Sequence, residues 1–242
     1  MGSSRFPGKP LALLLERPMI EHVFRRVSES EILDAVYVAT CDDEIRGVVK
    51  GFGGEVIMTS SVHVRASDRV AEAADLIEAG GTQRSDIVVM IQGDEPMITP
   101  GMIEAAVEPM LLDPSVHCVN LACRISSNEE YVDPNTIKVV MNLAGDALYF
   151  SRAAIPAIDF ARPDHLPVFK QVCVIPFRRD FLRDFAQLSP TPLERAESVD
   201  MLRALEHNHS VRLVETDVAT HAVDTPEDLL RVELLMKNEV AN

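Results

Sequence analysis

Short β-branched runs alternate with amphipathic helical segments through the first half of the chain, and this alternation restricts the fold more than any single motif. Pro18 to Val27 places Met19, Ile20, Val23, Phe24 and Val27 on one helical face, and DAVYVAT at 34–40 follows as a strand. Asp42, Asp43 and Glu44 supply the acidic first turn of a helix through Lys50, which stops at Gly51 and Gly53 and leads into a strand at Glu55 to Met58. The same reasoning predicts helices over Ser67 to Ala79 and Pro100 to Leu111, and strands over Asp86 to Ile91 and Val116 to Arg124. Strands joined by helices of this length imply right-handed crossovers, hence an α/β fold with a doubly wound, mostly parallel sheet covered on both faces.

From Thr136 to Ser151 the texture changes. TIKVVMN, the turn AGD and ALYFS predict an inserted antiparallel hairpin, and Val168 to Phe177 a further strand. Ala157 to Pro167, with two prolines and no periodicity, reads as a loop. The chain is expected to be a single domain over 1–242, with an antiparallel region at about 133–190.

Composition excludes several classes. A hydrophobic share of 47% over 242 residues is enough for a full core, and a net charge of −15 argues against a partner that is a nucleic-acid polymer. No apolar run approaches the roughly 18 residues of a membrane span, and no signal peptide opens the chain, so a cytoplasmic protein without membrane contact is expected. Cys41, Cys118, Cys123 and Cys173 lack paired spacing and are expected to be small buried apolar residues. No G-x-G-x-x-G opens a helix after a strand, which argues against a dinucleotide-dependent oxidoreductase.

Three segments carry chemistry. MGSSRFPGKP at 1–10 combines small residues, which let backbone N–H groups approach phosphate oxygens, with Arg5 and Lys9; the bland alternative is a solvated N-terminus. In IQGDEP at 91–96, Asp94 follows an apolar strand, where ligands of open α/β sheets sit, and a carboxylate there suits magnesium; Gly, Asp and Pro also make ordinary turns. Asp224 in HAVDTPEDL lies before a helix opened by Thr225 and Pro226, as a second acidic candidate or as a helix cap.

Taken together, GSSRFPGKPL (2–11), PMIEHV (18–23), VYVAT (36–40), GGEVIMTS (53–60), QGDEPMI (92–98), DPNTIKVV (133–140), ALYFSRAAIP (147–156), TPLERAESVDMLRALEH (191–207) and VDTPEDL (223–229) resemble the cytidylyltransferases that activate 3-deoxy-manno-octulosonate (Kdo). The resemblance spans the whole chain. It implies a nucleotide-diphospho-sugar transferase fold and an enzyme of lipopolysaccharide biosynthesis. Such an enzyme uses CTP and Mg2+ to activate an acidic sugar, releases pyrophosphate, and forms a homodimer through the inserted antiparallel region. By resemblance, Asp94 and Asp224 hold the metal and act in catalysis with Arg5 and Lys9, which grip the triphosphate. Ser3, Ser4, Ser67, Asp68, Arg69 and Gln92 are implied nucleotide contacts, with a surface ion pair as the alternative for Arg69. Arg152, Gln171, Glu194 and Asp200 are implied sugar contacts, with a structural role as the alternative for Arg152. Glu194, Glu197 and Asp200, spaced i, i+3 and i+6 on one expected helix, share a face that either meets sugar hydroxyls or is solvated, the solvated reading being preferred for Glu197.

The chain departs from the family pattern in three places. HVRASDR at 63–69 replaces a Gly-Thr pair with Ala66-Ser67, keeping the hydroxyl and losing glycine's backbone freedom. In FKQVCVIPF at 169–177, Gln171 stands where the family has histidine, and Ile175 and Phe177 where it has tyrosines, so a possible cation and two hydroxyl donors are missing. The family's first strand would precede GSSR, so the sequence is expected to begin at an internal methionine of a longer protein. The expected reaction is therefore CMP transfer to Kdo or a relative. The alternatives are transfer to a sialic-acid-like nonulosonate, or a truncated or inactive nucleotide-sugar-binding homologue.

Overall fold

The computed structural model describes residues 6–160, 162, 166–218 and 220–241, with backbone alone at 239–241. In chain order, a 3₁₀ turn at Lys9–Leu11 precedes β1 (Leu13–Leu14), β2 (Arg17–Pro18), α1 (Met19–Ser28), β3 (Tyr37–Thr40), α2 (Asp43–Gly51), β4 (Glu55–Met58) and α3 (Ala66–Ala79). Then come β5 (Ile87–Ile91), α4 (Pro100–Leu112), β6 (Val119–Arg124), α5 (Asn128–Val132), β7 (Lys138–Met141) and β8 (Ala147–Ser151). The chain continues through β9 (Phe169–Val172), β10 (Val174–Arg178), α6 (Arg179–Gln187), α7 (Pro192–Glu197), α8 (Met201–Glu206), β11 (Arg212–Thr216) and α9 (Pro226–Ala241). The expected α/β alternation and the hairpin region are both present.

Two compact units divide the chain, one formed by 1–84, 91–104 and 220–242, the other by 85–90 and 105–219. In the first unit β3 and β4 pair in parallel, Tyr37 opposite Glu55 and Thr40 opposite Met58. The crossover between them is α2, whose first turn is capped by Asp42 Oδ1 accepting from the N–H groups of Glu44 at 3.0 Å and Ile45 at 3.4 Å. The apolar stripe read from the sequence of α1 buries Met19, Ile20, Val23 and Val27. Leu14, Met19, Met97, Val223, Val232 and Met236 form one core cluster, against which Phe6 packs.

The second unit holds a five-stranded mixed sheet in the order β11-β6-β9-β7-β8. Its β11–β6 ladder is parallel, and β6–β9, β9–β7 and β7–β8 are antiparallel. The β7–β8 hairpin turns on Asn142, whose Oδ1 accepts the N–H groups of Ala144 and Asp146, each at 2.9 Å, while Gly145 takes a φ of 83°.

Three expectations need correction, and one turn was not foreseen. Val168 to Phe177 is two strands rather than one: β9 joins β6 and β7, and β10 pairs with β5. Leu15 and Glu16, at φ 49° and 66°, close a short hairpin between β1 and β2 where the sequence offers no glycine to announce a turn. The helix expected to carry Glu194, Glu197 and Asp200 is broken by Ser198 at φ 56°, so Asp200 lies beyond α7, at the start of α8. No disulfide joins the four cysteines, and where burial was expected Cys41 is exposed and Cys173 half-buried.

Candidate active site

The first unit brings together three side chains that lie far apart in sequence. Lys9 Nζ donates to Asp94 Oδ2 at 2.6 Å and to Asp224 Oδ1 at 3.2 Å. Backbone and core hold the segments in place. Gly8, in the left-handed region at φ 74°, turns the chain into the 3₁₀ turn that carries Lys9, and Lys9 N–H donates to Phe6 O at 3.2 Å. Val223 N–H donates to Asp94 O at 2.9 Å, which docks the residue before Asp224 onto Asp94 itself. Thr220 Oγ1 donates to Glu95 Oε2 at 2.7 Å, a buried bond between the same two segments. Phe6, Met97 and Val223 all belong to the same apolar cluster, so the core fixes the three loops together.

Asp224 is not the group that closes the start of α9. Thr225 and Asp228 do that: Asp228 Oδ2 accepts Thr225 N–H at 2.8 Å, and Thr225 Oγ1 accepts Asp228 N–H at 3.2 Å. The Asp224 carboxylate is thereby left to face Lys9. Burial opposes charge on Lys9, and the Asp94 and Asp224 carboxylates outweigh it, raising the ammonium's pKa above the ordinary lysine value. Asp94 Oδ1 is buried and has no hydrogen-bond partner among the described residues. An unpaired buried carboxylate oxygen on Asp94, with a second carboxylate across the same ammonium, fits a hard cation. No group of three or more His, Cys, Asp or Glu among the described residues could hold a metal. A cation here would thus take two protein carboxylates, which is how magnesium is commonly held, with water and substrate phosphates completing its shell.

The remaining nucleotide candidates are placed as follows. Ser3, Ser4 and Arg5 lie outside the described residues. Gln92 is partly buried, and its carbonyl accepts Glu95 N–H at 3.3 Å. Ser67, fully buried, and Asp68 lie in the first turn of α3. Arg69 turns back on the preceding loop, donating to Thr59 Oγ1 at 2.5 Å and Ser60 O at 3.2 Å, where a surface ion pair had been the alternative. The same loop is pinned by Glu72, which pairs with His63 and accepts Ser60 N–H at 2.8 Å.

The sugar candidates belong to the second unit. Arg152 is held by Glu197, which accepts the Arg152 N–H at 2.8 Å through Oε2 and the guanidinium Nε at 2.8 Å through its backbone carbonyl. Arg152 Nη1 donates to Pro134 O at 3.0 Å. Glu197 Oε1 also accepts Ser151 Oγ at 2.7 Å and Tyr149 at 3.3 Å, so the residue expected to be solvated organises the end of β8. Burial opposes its charge, and the bonds from Arg152 N–H, Ser151 and Tyr149 outweigh it, holding its carboxyl below the ordinary value. Gln171 Nε2 donates to Asn120 Oδ1 at 2.6 Å, and Asn120 in turn donates to Val172 O at 2.9 Å across the β6–β9 ladder. Ile175 and Phe177 are core residues, 1% and 0% exposed.

Glu194, 1% exposed, meets Arg203 through two bonds of 2.9 and 2.7 Å and reaches back to Thr191 N–H at 3.2 Å, which makes it a structural group. Lys138 was missed in the sequence. It is fully buried, and its ammonium donates to the carbonyls of Asp133 at 2.7 Å, Thr136 at 2.6 Å and Arg152 at 2.7 Å. A lone lysine inside the apolar run IKVVM was the available signal.

The cytidylyltransferase family model matches residues 1–214. A 3-deoxy-manno-octulosonate cytidylyltransferase of Syntrophotalea carbinolica is 46% identical over 238 residues, covering 96% of this chain and 93% of the relative. The protein of the same name from Geobacter metallireducens is 42% identical, covering 95% and 92%. A solved structure of CMP:2-keto-3-deoxy-manno-octonic acid synthetase complexed with CTP superposes with a TM-score of 0.86 at 38% identity, covering 98% of this chain and 95% of that one. A 4-diphosphocytidyl-2C-methyl-D-erythritol synthase from Anaerococcus prevotii shares the fold at a TM-score of 0.63 and 11% identity, covering 94% and 93%. With a family match over most of its length and relatives above two-fifths identity end to end, the chain belongs to the cytidylyltransferase family.

Proposed function

We propose that this protein transfers CMP from CTP to the anomeric oxygen of an acidic 3-deoxy-2-ulosonic sugar, Kdo or a close relative, and releases pyrophosphate. The observation that carries the reading is the convergence of Lys9 on Asp94 and Asp224 in a chain of this family. The relatives' names supply Kdo as the acceptor.

The acceptor oxygen attacks the α-phosphorus of CTP in line; the new O–P bond forms as the bond to the β-phosphate oxygen breaks, and pyrophosphate leaves with the electron pair. Asp94 and Asp224 would hold magnesium, whose charge, when bound, screens the phosphate oxygens. Lys9, with Arg5, binds the triphosphate and neutralises charge as it builds up on the leaving group. Gln92, Ser67, Asp68 and Arg69 contribute to the nucleotide wall, with Arg69 fixing the loop before α3. Arg152, held in one rotamer by Glu197 and Pro134, offers its guanidinium to the sugar carboxylate. Gln171, whose amide donates to Asn120, leaves its carbonyl oxygen as a hydroxyl acceptor, while Asp200 remains a candidate sugar contact. Glu194, committed to Arg203, has no place in the chemistry.

The region at about 133–190 serves sugar binding and homodimer formation in this reading, supported by Leu143 and Leu148 standing exposed on the β7–β8 hairpin. No helix among the described residues is long and apolar enough to cross a membrane. A CTP-dependent step in the cytoplasm that supplies activated Kdo for lipopolysaccharide is the matching role. The test is pyrophosphate release with CTP and magnesium across a panel of Kdo, other 3-deoxy-ulosonates and a nonulosonate. A preference for an eight-carbon ulosonate supports the assignment, a preference for the nonulosonate transfers it to that sugar, and no release with any sugar overturns it.

A further inference from the structure

We propose that Lys9 is an internal cation that competes with the metal for Asp94 and Asp224, so that the metal gains full access to the carboxylates only when the triphosphate draws Lys9 away. The inference rests on reading those carboxylates as the metal ligands.

The geometry supports it directly. One ammonium contacts an oxygen of each carboxylate, at 2.6 and 3.2 Å, and so occupies the place between them that a bridging cation would take. A divalent ion on the same carboxylates meets the like charge of Lys9 in a site whose side chains are only 12% to 21% exposed, where repulsion is weakly screened. Lys9 can nevertheless leave without backbone movement: its charge sits on a flexible four-carbon stem, and the backbone of its 3₁₀ turn is held separately by Phe6 O, Gly8 O and Lys9 O. A triphosphate offers that ammonium a new anionic partner. Nucleotide binding then releases the carboxylates to the metal, and metal binding releases Lys9 to the nucleotide, a coupling that must be reciprocal. Without nucleotide, the apparent metal affinity is lowered by the fraction of molecules in which Lys9 has swung away.

Mn2+ alone, without nucleotide, is the probe, with free Mn2+ read by electron paramagnetic resonance. Lys9→Met, or Lys9→Gln if the first variant fails to fold, is expected to bind Mn2+ at least tenfold more tightly than wild type, and Lys9→Arg to stay within severalfold of it. Arg46→Met removes the same charge from the exposed start of α2 and is expected to leave Mn2+ affinity unchanged. No tightening in either neutral variant, or equal tightening in Arg46→Met, overturns the competition. The double variant Lys9→Met with Asp94→Asn is expected to lose the tight binding. If it retains that binding, the metal does not sit on Asp94, and the reading beneath the inference fails instead.

Discussion

Asp94 divides its two oxygens between different tasks: Oδ2 accepts the Lys9 ammonium at 2.6 Å, while Oδ1 is buried without a hydrogen-bond partner among the described residues. A carboxylate held this way contributes little to folding that an amide would not also supply, because one of its oxygens makes no bond. Asp94→Asn is therefore expected to lower turnover by about 10² to 10³ or more, the scale of losing one preorganised electrostatic contact. Its thermal midpoint is expected to stay close to wild type. Steady-state pyrophosphate release with parallel thermal unfolding checks both; turnover within severalfold of wild type contradicts the role.

At the start of α9, Asp228 caps the helix with Thr225, while Asp224, the carboxylate proposed to serve catalysis, faces Lys9. Asp224→Asn is expected to lose turnover with little change in stability. Asp228→Ala breaks the reciprocal bonds with Thr225 and is expected to cost about 1 kcal/mol of stability while turnover stays within severalfold. Urea unfolding and activity of the two variants give opposite patterns if the assignment is right.

Glu197 holds Arg152, and in the proposed reading it acts on the sugar side through that residue. Glu197→Gln is expected to raise the sugar KM about tenfold or more, with the KM for CTP unchanged. The carboxyl's folded pKa lies below the ordinary 4.5, so its stabilising effect is fully present above that pH, declines below it, and is lost once pH falls through the folded value. The stability gap between wild type and Glu197→Gln is thus expected to be constant from neutrality down to about pH 5 and to close in acid. Denaturant unfolding across that range measures it; a gap that widens in acid contradicts the sign.

Glu194 and Arg203 are both 1% exposed, and the Arg203 guanidinium also lies 4.9 Å from the Phe185 ring centroid. Arg203→Met leaves the Glu194 charge buried and is expected to destabilise the protein by about 3–5 kcal/mol. Adding Glu194→Leu removes the stranded charge and should recover part of that loss. A double variant as unstable as the sum of the single changes contradicts the pairing.

The sequence made the alternation of strands and helices legible because α1, α2 and β3 to β5 carry unambiguous apolar periods and local caps. It also exposed Lys9, Asp94 and Asp224 as individual candidates. What brings them together was hidden, since a backbone bond from Val223 to Asp94 and a cluster joining Phe6, Met97 and Val223 are long-range facts with no local signature. The sugar side was harder to read. A helix spacing suggested one shared face for Glu194, Glu197 and Asp200, and the left-handed Ser198 breaks it with no glycine to signal the turn. Lys138 escaped because its partners are backbone carbonyls, which leave no mark on composition, and Glu197 because Tyr149, Ser151 and the Arg152 N–H, which it gathers, lie more than forty residues away in sequence.

Phosphorus NMR of the wild-type protein with CTP, magnesium and Kdo tests the central claim most directly. One new phosphodiester resonance of a CMP-linked sugar is expected for each pyrophosphate formed, with neither signal when Kdo is omitted. CTP resonances that persist unchanged with every acidic ulosonate, or pyrophosphate formed without a matching phosphodiester, would contradict the transfer of CMP by this site.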